Sequence, residues 1–124
     1  MAHPQMTWRT LKIDSAGHVT ALPSTMHAEP GDGIAWFVVN ESTVQVKVKI
    51  KDFKRKSTGG ALDPVSFFQQ RATVEAGETG LVVGEVTLVP SGGSGTTLLT
   101  KYTIELRSSL FDNDYDPDLE IEKP

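Results

Sequence analysis

The sequence predicts an all-β fold: an antiparallel Greek-key β-sandwich of about seven to eight strands. Three observations predict it. Val44, Val46, Val48 and Ile50 alternate strictly with Gln45, Lys47, Lys49 and Lys51. Tyr102, Ile104 and Leu106 alternate in the same way with Lys101, Thr103, Glu105 and Arg107. Period two with β-branched residues on one side marks a half-buried strand. Third, turn-forming clusters separate the apolar runs, and no helix start and stop signals pair up.

Taken in order, Leu11 with Ile13 and Val19–Leu22 give short strands near the start. Ile34–Val39 is apolar on both faces and reads as a central strand. The clear strand Thr43–Lys51 follows, then a side loop from Asp52 to Gln70, in which Ser66–Arg71 could make one helical turn. Arg71–Glu75 and Val82–Val89 are further strands, the second with Gly84 as a bulge or close approach. Ser91–Gly95 reads as a hairpin tip. Asp112–Asp116 reads as a polar loop. Beyond Pro117, Leu119 and Ile121 face a core while Asp118, Glu120 and Glu122 line a wet face. The turns fall at Ser15-Ala16-Gly17, Pro30-Gly31-Asp32-Gly33, Asn40-Glu41-Ser42 and Ala76-Gly77-Glu78.

The 124 residues fit one domain, 1–124, with no linker. Counting glycine, about 47% of the chain is apolar, inside the ~45–50% of globular domains, so composition argues for a packed core over disorder. There is no cysteine. Disulfides, thiolate metal sites and a cysteine nucleophile are therefore excluded together. A net charge of −4 argues against nucleic acid as partner. Met1–Trp8 carries no signal-peptide pattern, and no apolar run approaches a membrane span. The expectation is a cytoplasmic protein without membrane contact.

Glu29-Pro30-Gly31-Asp32-Gly33-Ile34-Ala35-Trp36, running into Val38-Val39-Asn40, resembles the PGD-x-V-x-W-x-N segment of cupredoxins. Three residues separate Trp36 from Asn40, a looser spacing than that motif has. Val74-Glu75-Ala76-Gly77-Glu78 resembles the family's V-x-A-G turn, and Tyr102-Thr103-Ile104 its tyrosine strand. The resemblance spans residues 29 to 107 and implies a cupredoxin-like sandwich; an immunoglobulin-like strand order has the same alternation. The copper ligands do not carry over. Glu41–Val44 holds no histidine, the cysteine position falls near Glu105 or Leu106, and Ser108–Asp118 has neither His nor Met. A blue-copper site needs thiolate and imidazole ligands, so this member is expected to be metal-free and without cofactor.

The candidate binding residues are basic and aromatic. Lys47, Lys49, Lys51, Lys54, Arg55 and Lys56 hold half of the twelve Lys and Arg, and the first three share one strand face. They could attract an acidic protein, or they could protect an edge strand and pair with the acidic tail. Phe67 and Phe68 cannot both point inward on a strand, so either one is exposed as a candidate anchor or both cap the core under a long loop. Trp8 and Trp36 read as core or sheet-packing residues rather than ligand platforms. The weaker alternative is calcium at Asp112, Asp114, Asp116 and Asp118, but an EF-hand begun at Asp112 meets Pro117 and Lys123 where Gly and Glu are required. His18 and His27 have no ligand partner at metal-site spacing, and no nucleophile elbow or phosphate loop occurs. The reading is a non-enzymatic interaction or structural module that binds a protein partner or a second copy of itself. Its alternative is a calcium- or small-ligand-binding module.

Overall fold

Alternating apolar side chains along extended segments need a second layer to cover them, and two sheets supply it here. The structure is a computed structural model and describes residues 5–19, 25–56, 62–64 and 69–124. Among these lie ten strands: β1 (Met6–Ile13), β2 (Thr25–Ala28), β3 (Gly33–Asn40), β4 (Val46–Lys56), β5 (Leu62–Pro64), β6 (Gln70–Val74), β7 (Thr79–Glu85), β8 (Thr97–Arg107), β9 (Asp112–Tyr115) and β10 (Asp118–Glu122). The first sheet has the order β1-β3-β7. The second runs β2-β10-β8-β4-β5, with β6 beside β4 and β9 beside β8.

The all-β sandwich expectation holds, with differences of detail. Two pairings are parallel, β1 with β3 and β10 with β2. A parallel pair needs a crossover, and β2 in the opposite sheet lies on the path between β1 and β3. The Ser91–Gly95 turn is no hairpin tip, because β7 and β8 lie in different sheets. Register runs unbroken through Gly84. The close approach falls instead at Gly80, where an added Cβ would sit 2.5 Å from the Val74 side chain.

The strand expected to end at Lys51 continues to Lys56 because of a bulge between Lys51 and Lys54. Asp52 takes φ 54° there, a left-handed conformation that Asp tolerates better than most residues. The extra residue shifts the alternation by one, so Phe53 turns inward and stacks on Tyr102 with ring centroids 5.1 Å apart. Asp112–Tyr115, expected as loop, is strand β9. Its half-buried members explain this: the Asn113 amide and the Tyr115 hydroxyl both donate to the Gly17 carbonyl, at 3.0 and 3.1 Å. Val19 makes only an isolated bridge to Ile13, and residues 20–22 of that expected strand lie outside the described residues. The strand expected from Arg71 is β6, which begins one residue earlier at Gln70, so the end of the suggested helical turn is extended, and residues 66–68 of that turn lie outside the described residues.

The core between the sheets is built from Leu11, Ile34, Trp36 and Val38 on one side and Val48, Ile50, Tyr102, Ile104, Leu119 and Ile121 on the other. The motif residues at one end form a buried polar lock. The Asn40 amide donates to the carbonyls of Val44 and Val74, at 2.8 and 3.0 Å, and its oxygen accepts from the Ser42 backbone and hydroxyl. The Gly77 amide closes on the Asn40 carbonyl at 2.8 Å. At the other end, Asp32 accepts from the amides of Gln5 and Glu29, holding the Pro30-Gly31 turn.

Removing the lock strands several buried donors and acceptors, each costly when unpaired. Asn40→Ala is expected to lower unfolding free energy by roughly 3 kcal/mol, read as a lower urea midpoint with an unchanged slope.

Candidate functional site

The outer faces of the two sheets differ in chemistry. Register across the three-stranded sheet puts Met6, Gly33 and Glu85 in one row, then Trp8, Ala35 and Val83, then Thr10, Phe37 and Leu81, then Lys12, Val39 and Thr79. These rows face away from the core, because the intervening Leu11, Ile34, Trp36, Val38 and Val82 point into it. Met6, Trp8 and Leu81 are each more than half exposed, and Phe37 and Val83 about 40%. Trp8 and Phe37 meet edge to face at 5.7 Å. Ala35, small between Trp8 and Val83, is only 3% exposed.

Trp36 is core, fully buried, whereas Trp8 packs on its neighbour strand on the outer face, the second of the two places the sequence left open. β3 is central in its sheet and apolar on both faces, yet only one face is covered. Three strands ~4.8 Å apart and eight residues at ~3.4 Å give a face of roughly 400 Å², at the scale where apolar patches mark contact sites. The signal was legible in part: Met6 and Trp8, Phe37, Leu81 and Val83 each sit in register with alternation. What was missing was the pairing that brings them together.

The outer face of the second sheet is charged. Lys47, Lys49 and Lys51 do share that face, opposite Arg107, Glu105 and Thr103 of β8. They are not equivalent. Lys51 is hydrogen-bonded to Glu105 and lies 3.8 Å from Asp52. Lys56 and Lys101 both reach Asp118 at 3.1 Å. Lys54 and Arg55 are exposed beyond the bulge. Lys47 and Lys49 form no ion pair among the described residues, and with Arg71 and Arg107 they line a shallow groove of about 300 Å³ that also holds Glu105. Phe67 and Phe68 lie outside the described residues.

Three of the four aspartates of the acidic stretch are engaged. Asp114 binds Arg107 at 2.8 Å, Asp116 accepts from the Thr103 hydroxyl at 3.1 Å, and Asp118 holds its two lysines. Asp112 lies in register with Arg107 on the outer face. Among the described residues no three His, Asp or Glu side chains converge as a metal set. A mouth between β1, β2 and β10, of about 350 Å³, gathers His27, Glu29, Asp32, Glu120 and Glu122. Its members have local duties: His27 lies 3.1 Å from Glu120, and Asp32 holds two backbone amides.

Electrostatics follow from these pairs. The Lys51 hydrogen bond, against a small desolvation cost, holds Glu105 below its ordinary value of 4.5, and Lys51 is raised in return. Burial pushes Asp118 up, but Lys101 and Lys56 together outweigh it and hold the carboxyl down. Burial pushes the Tyr102 hydroxyl well above the usual phenol range, so it stays protonated as a core hydrogen-bond donor.

No protein-family model matches the chain, and no curated protein matches it. Solved structures do. A chain of the CsuC–CsuE chaperone–tip adhesion subunit pre-assembly complex, from the archaic chaperone–usher Csu pili of Acinetobacter baumannii, superposes with TM-score 0.63. Identity is 16%, over 82% of this chain and 50% of that one, so this chain spans half its length. The ASH/PapD-like domain 7 of human CEP192 superposes with TM-score 0.52 at 11% identity, covering 83% of this chain and 82% of that one. Both likenesses show the fold, a two-sheet β-sandwich. The cupredoxin resemblance therefore stands as a sandwich resemblance. The multicopper oxidase McoA of Aquifex aeolicus, with TM-score 0.45, is too distant to argue for its strand order.

Glu105 is depressed in the folded state, so its ion pair stabilises the fold above the ordinary carboxylate pKa and is lost as pH falls through the lowered value. Glu105→Gln is expected to flatten the acid limb of a stability–pH profile, measured by urea midpoints between neutral and strongly acidic pH. With its carboxylates already engaged, the protein is expected to keep the same melting temperature when Ca²⁺ is added at millimolar concentration; a rise would show binding to the native state.

Proposed function

We propose that this chain is a non-enzymatic protein-interaction domain whose contact surface is the outer face of the three-stranded sheet. The observation that carries the reading is the set Met6, Trp8, Phe37, Leu81 and Val83, exposed together on one flat apolar face. Aromatic and aliphatic side chains gathered in this way gain most from being covered by another protein. A strand apolar on both sides, as β3 is, has the composition of an inner layer. The first of the similar structures comes from a chaperone–subunit complex, which supports protein as the class of partner for such a sandwich. The perturbed groups support a non-enzymatic role. Glu105 and Lys51 answer to each other across two strands, and Tyr102 is shifted by burial in the core, away from any opening.

A second reading is favoured by a separate observation: Lys47 and Lys49 line a basic groove with Arg71, while Lys51 and Lys56 are already neutralised. That groove would take an acidic protein segment, and the calcium alternative has less support because its carboxylates are paired.

A photo-crosslinking amino acid placed at Leu81, and separately at Lys47, in cells of the source organism tests both. A discrete protein adduct from position 81 is the expected result. An adduct from position 47 alone would replace the first reading with the second, and adducts from neither would overturn the interaction module.

A further inference from the structure

We infer that the occupant of the apolar face is a second copy of this chain, in a two-fold, face-to-face dimer; this rests on the reading of that face as a protein contact. Three features of the face fit a copy of itself. The first is charge. Among the described residues of its four rows the charged ones are Lys12 and Glu85, on opposite edge strands and at opposite ends, so they occupy diagonal corners. An isologous interface must be self-complementary, and one cation and one anion at diagonal corners meet that condition: a two-fold axis lying in the interface perpendicular to that diagonal brings each Lys12 toward the other copy's Glu85.

The second feature is relief. Phe37 stands one row from Ala35 on the same strand, a large side chain beside a small one. The same axis crosses β3 between these rows and sets Phe37 of each copy against Ala35 of the other. Large residues then meet small ones, as in packed sheet interfaces.

The third is layer order. Stacking the two three-stranded sheets makes them the inner layers of a four-layer assembly and leaves the charged seven-stranded sheets outside. β3 would then be covered on both faces, as its unbroken run Ile34-Ala35-Trp36-Phe37-Val38-Val39 demands. A face of roughly 400 Å² per copy is small for a permanent interface, so the dimer is a reversible one.

Sedimentation equilibrium of the full chain, across low to high micromolar concentration, tests this. The mass is expected to rise from 13.5 kDa toward twice that value. Phe37→Glu should weaken the association at least about thirtyfold, as loss of a central anchor does, while Leu110→Glu, an exposed apolar residue of the β8–β9 loop, leaves it unchanged. Phe37 is about 40% exposed, so the variant should stay folded, and Leu81→Lys is a second variant should it not. Lys12→Glu and Glu85→Lys should each weaken the dimer, and the double exchange should restore it. A chain monomeric at every concentration, or a dimer indifferent to both Phe37→Glu and Leu81→Lys, overturns the inference. If the chain is monomeric while position 81 crosslinks to a different protein, the second copy is wrong and the interaction module stands. If position 81 gives no adduct of any kind, the apolar face as a contact surface and the second copy on it fall together.

Discussion

The two sheets are held face to face by the buried pairing of Trp36 with Tyr102. Each residue sits on the central strand of its own sheet, β3 and β8. The indole N–H donates to the tyrosine hydroxyl at 3.2 Å, and the hydroxyl points on to the Met26 sulfur at 3.4 Å. An indole N–H in an apolar core must find an acceptor, and the phenol supplies one without bringing a charge inside. The Tyr102 ring is packed between Trp36 and Phe53. Phe53 reaches it only because the Asp52 bulge shifts the strand by one residue. A local backbone irregularity thus serves the central packing contact of the fold.

With the inner faces fixed by that contact, the outer faces carry the chemistry. The seven-stranded sheet presents a surface in which Lys51, Lys56, Lys101 and Arg107 are matched across strands by Glu105, Asp114 and Asp118. Such pairs contribute little stability in water, but they hold carboxylates that would otherwise be free to gather a cation. The three-stranded sheet presents the opposite: aromatic and aliphatic side chains with one charge at each of two corners. A sandwich with one wet and one dry outer face has a built-in direction for association.

Much of the fold was legible in the chain. The alternation from Val44 to Ile50 and from Tyr102 to Leu106 located β4 and β8, the long central pair of the larger sheet. Short cupredoxin-like segments around Pro30-Gly31-Asp32, Asn40 and Ala76-Gly77 marked turns that the structure ties together through Asn40 and Asp32. The lysine stripe was placed on its correct face. Charge density misled, making Asp112–Asp116 look like loop, although Asn113 and Tyr115 anchor it as a strand. Trp8 stayed open between core and sheet packing because hydrophobic character alone does not say which side of a strand is covered.

The sequence by itself determined the all-β class, the absence of thiolate chemistry and the inward set of most strands. Those properties are local: a period of two, a turn residue and a missing cysteine can each be read from a few adjacent positions. Only the tertiary structure decided which cations are neutralised and which apolar residues stay bare. Lys51 meets Glu105, and Trp8 meets Phe37, through strand pairings between segments far apart in the chain. Register across a sheet is set by the packing of the whole domain, so the chemistry of its outer faces emerges only when the strands are assembled.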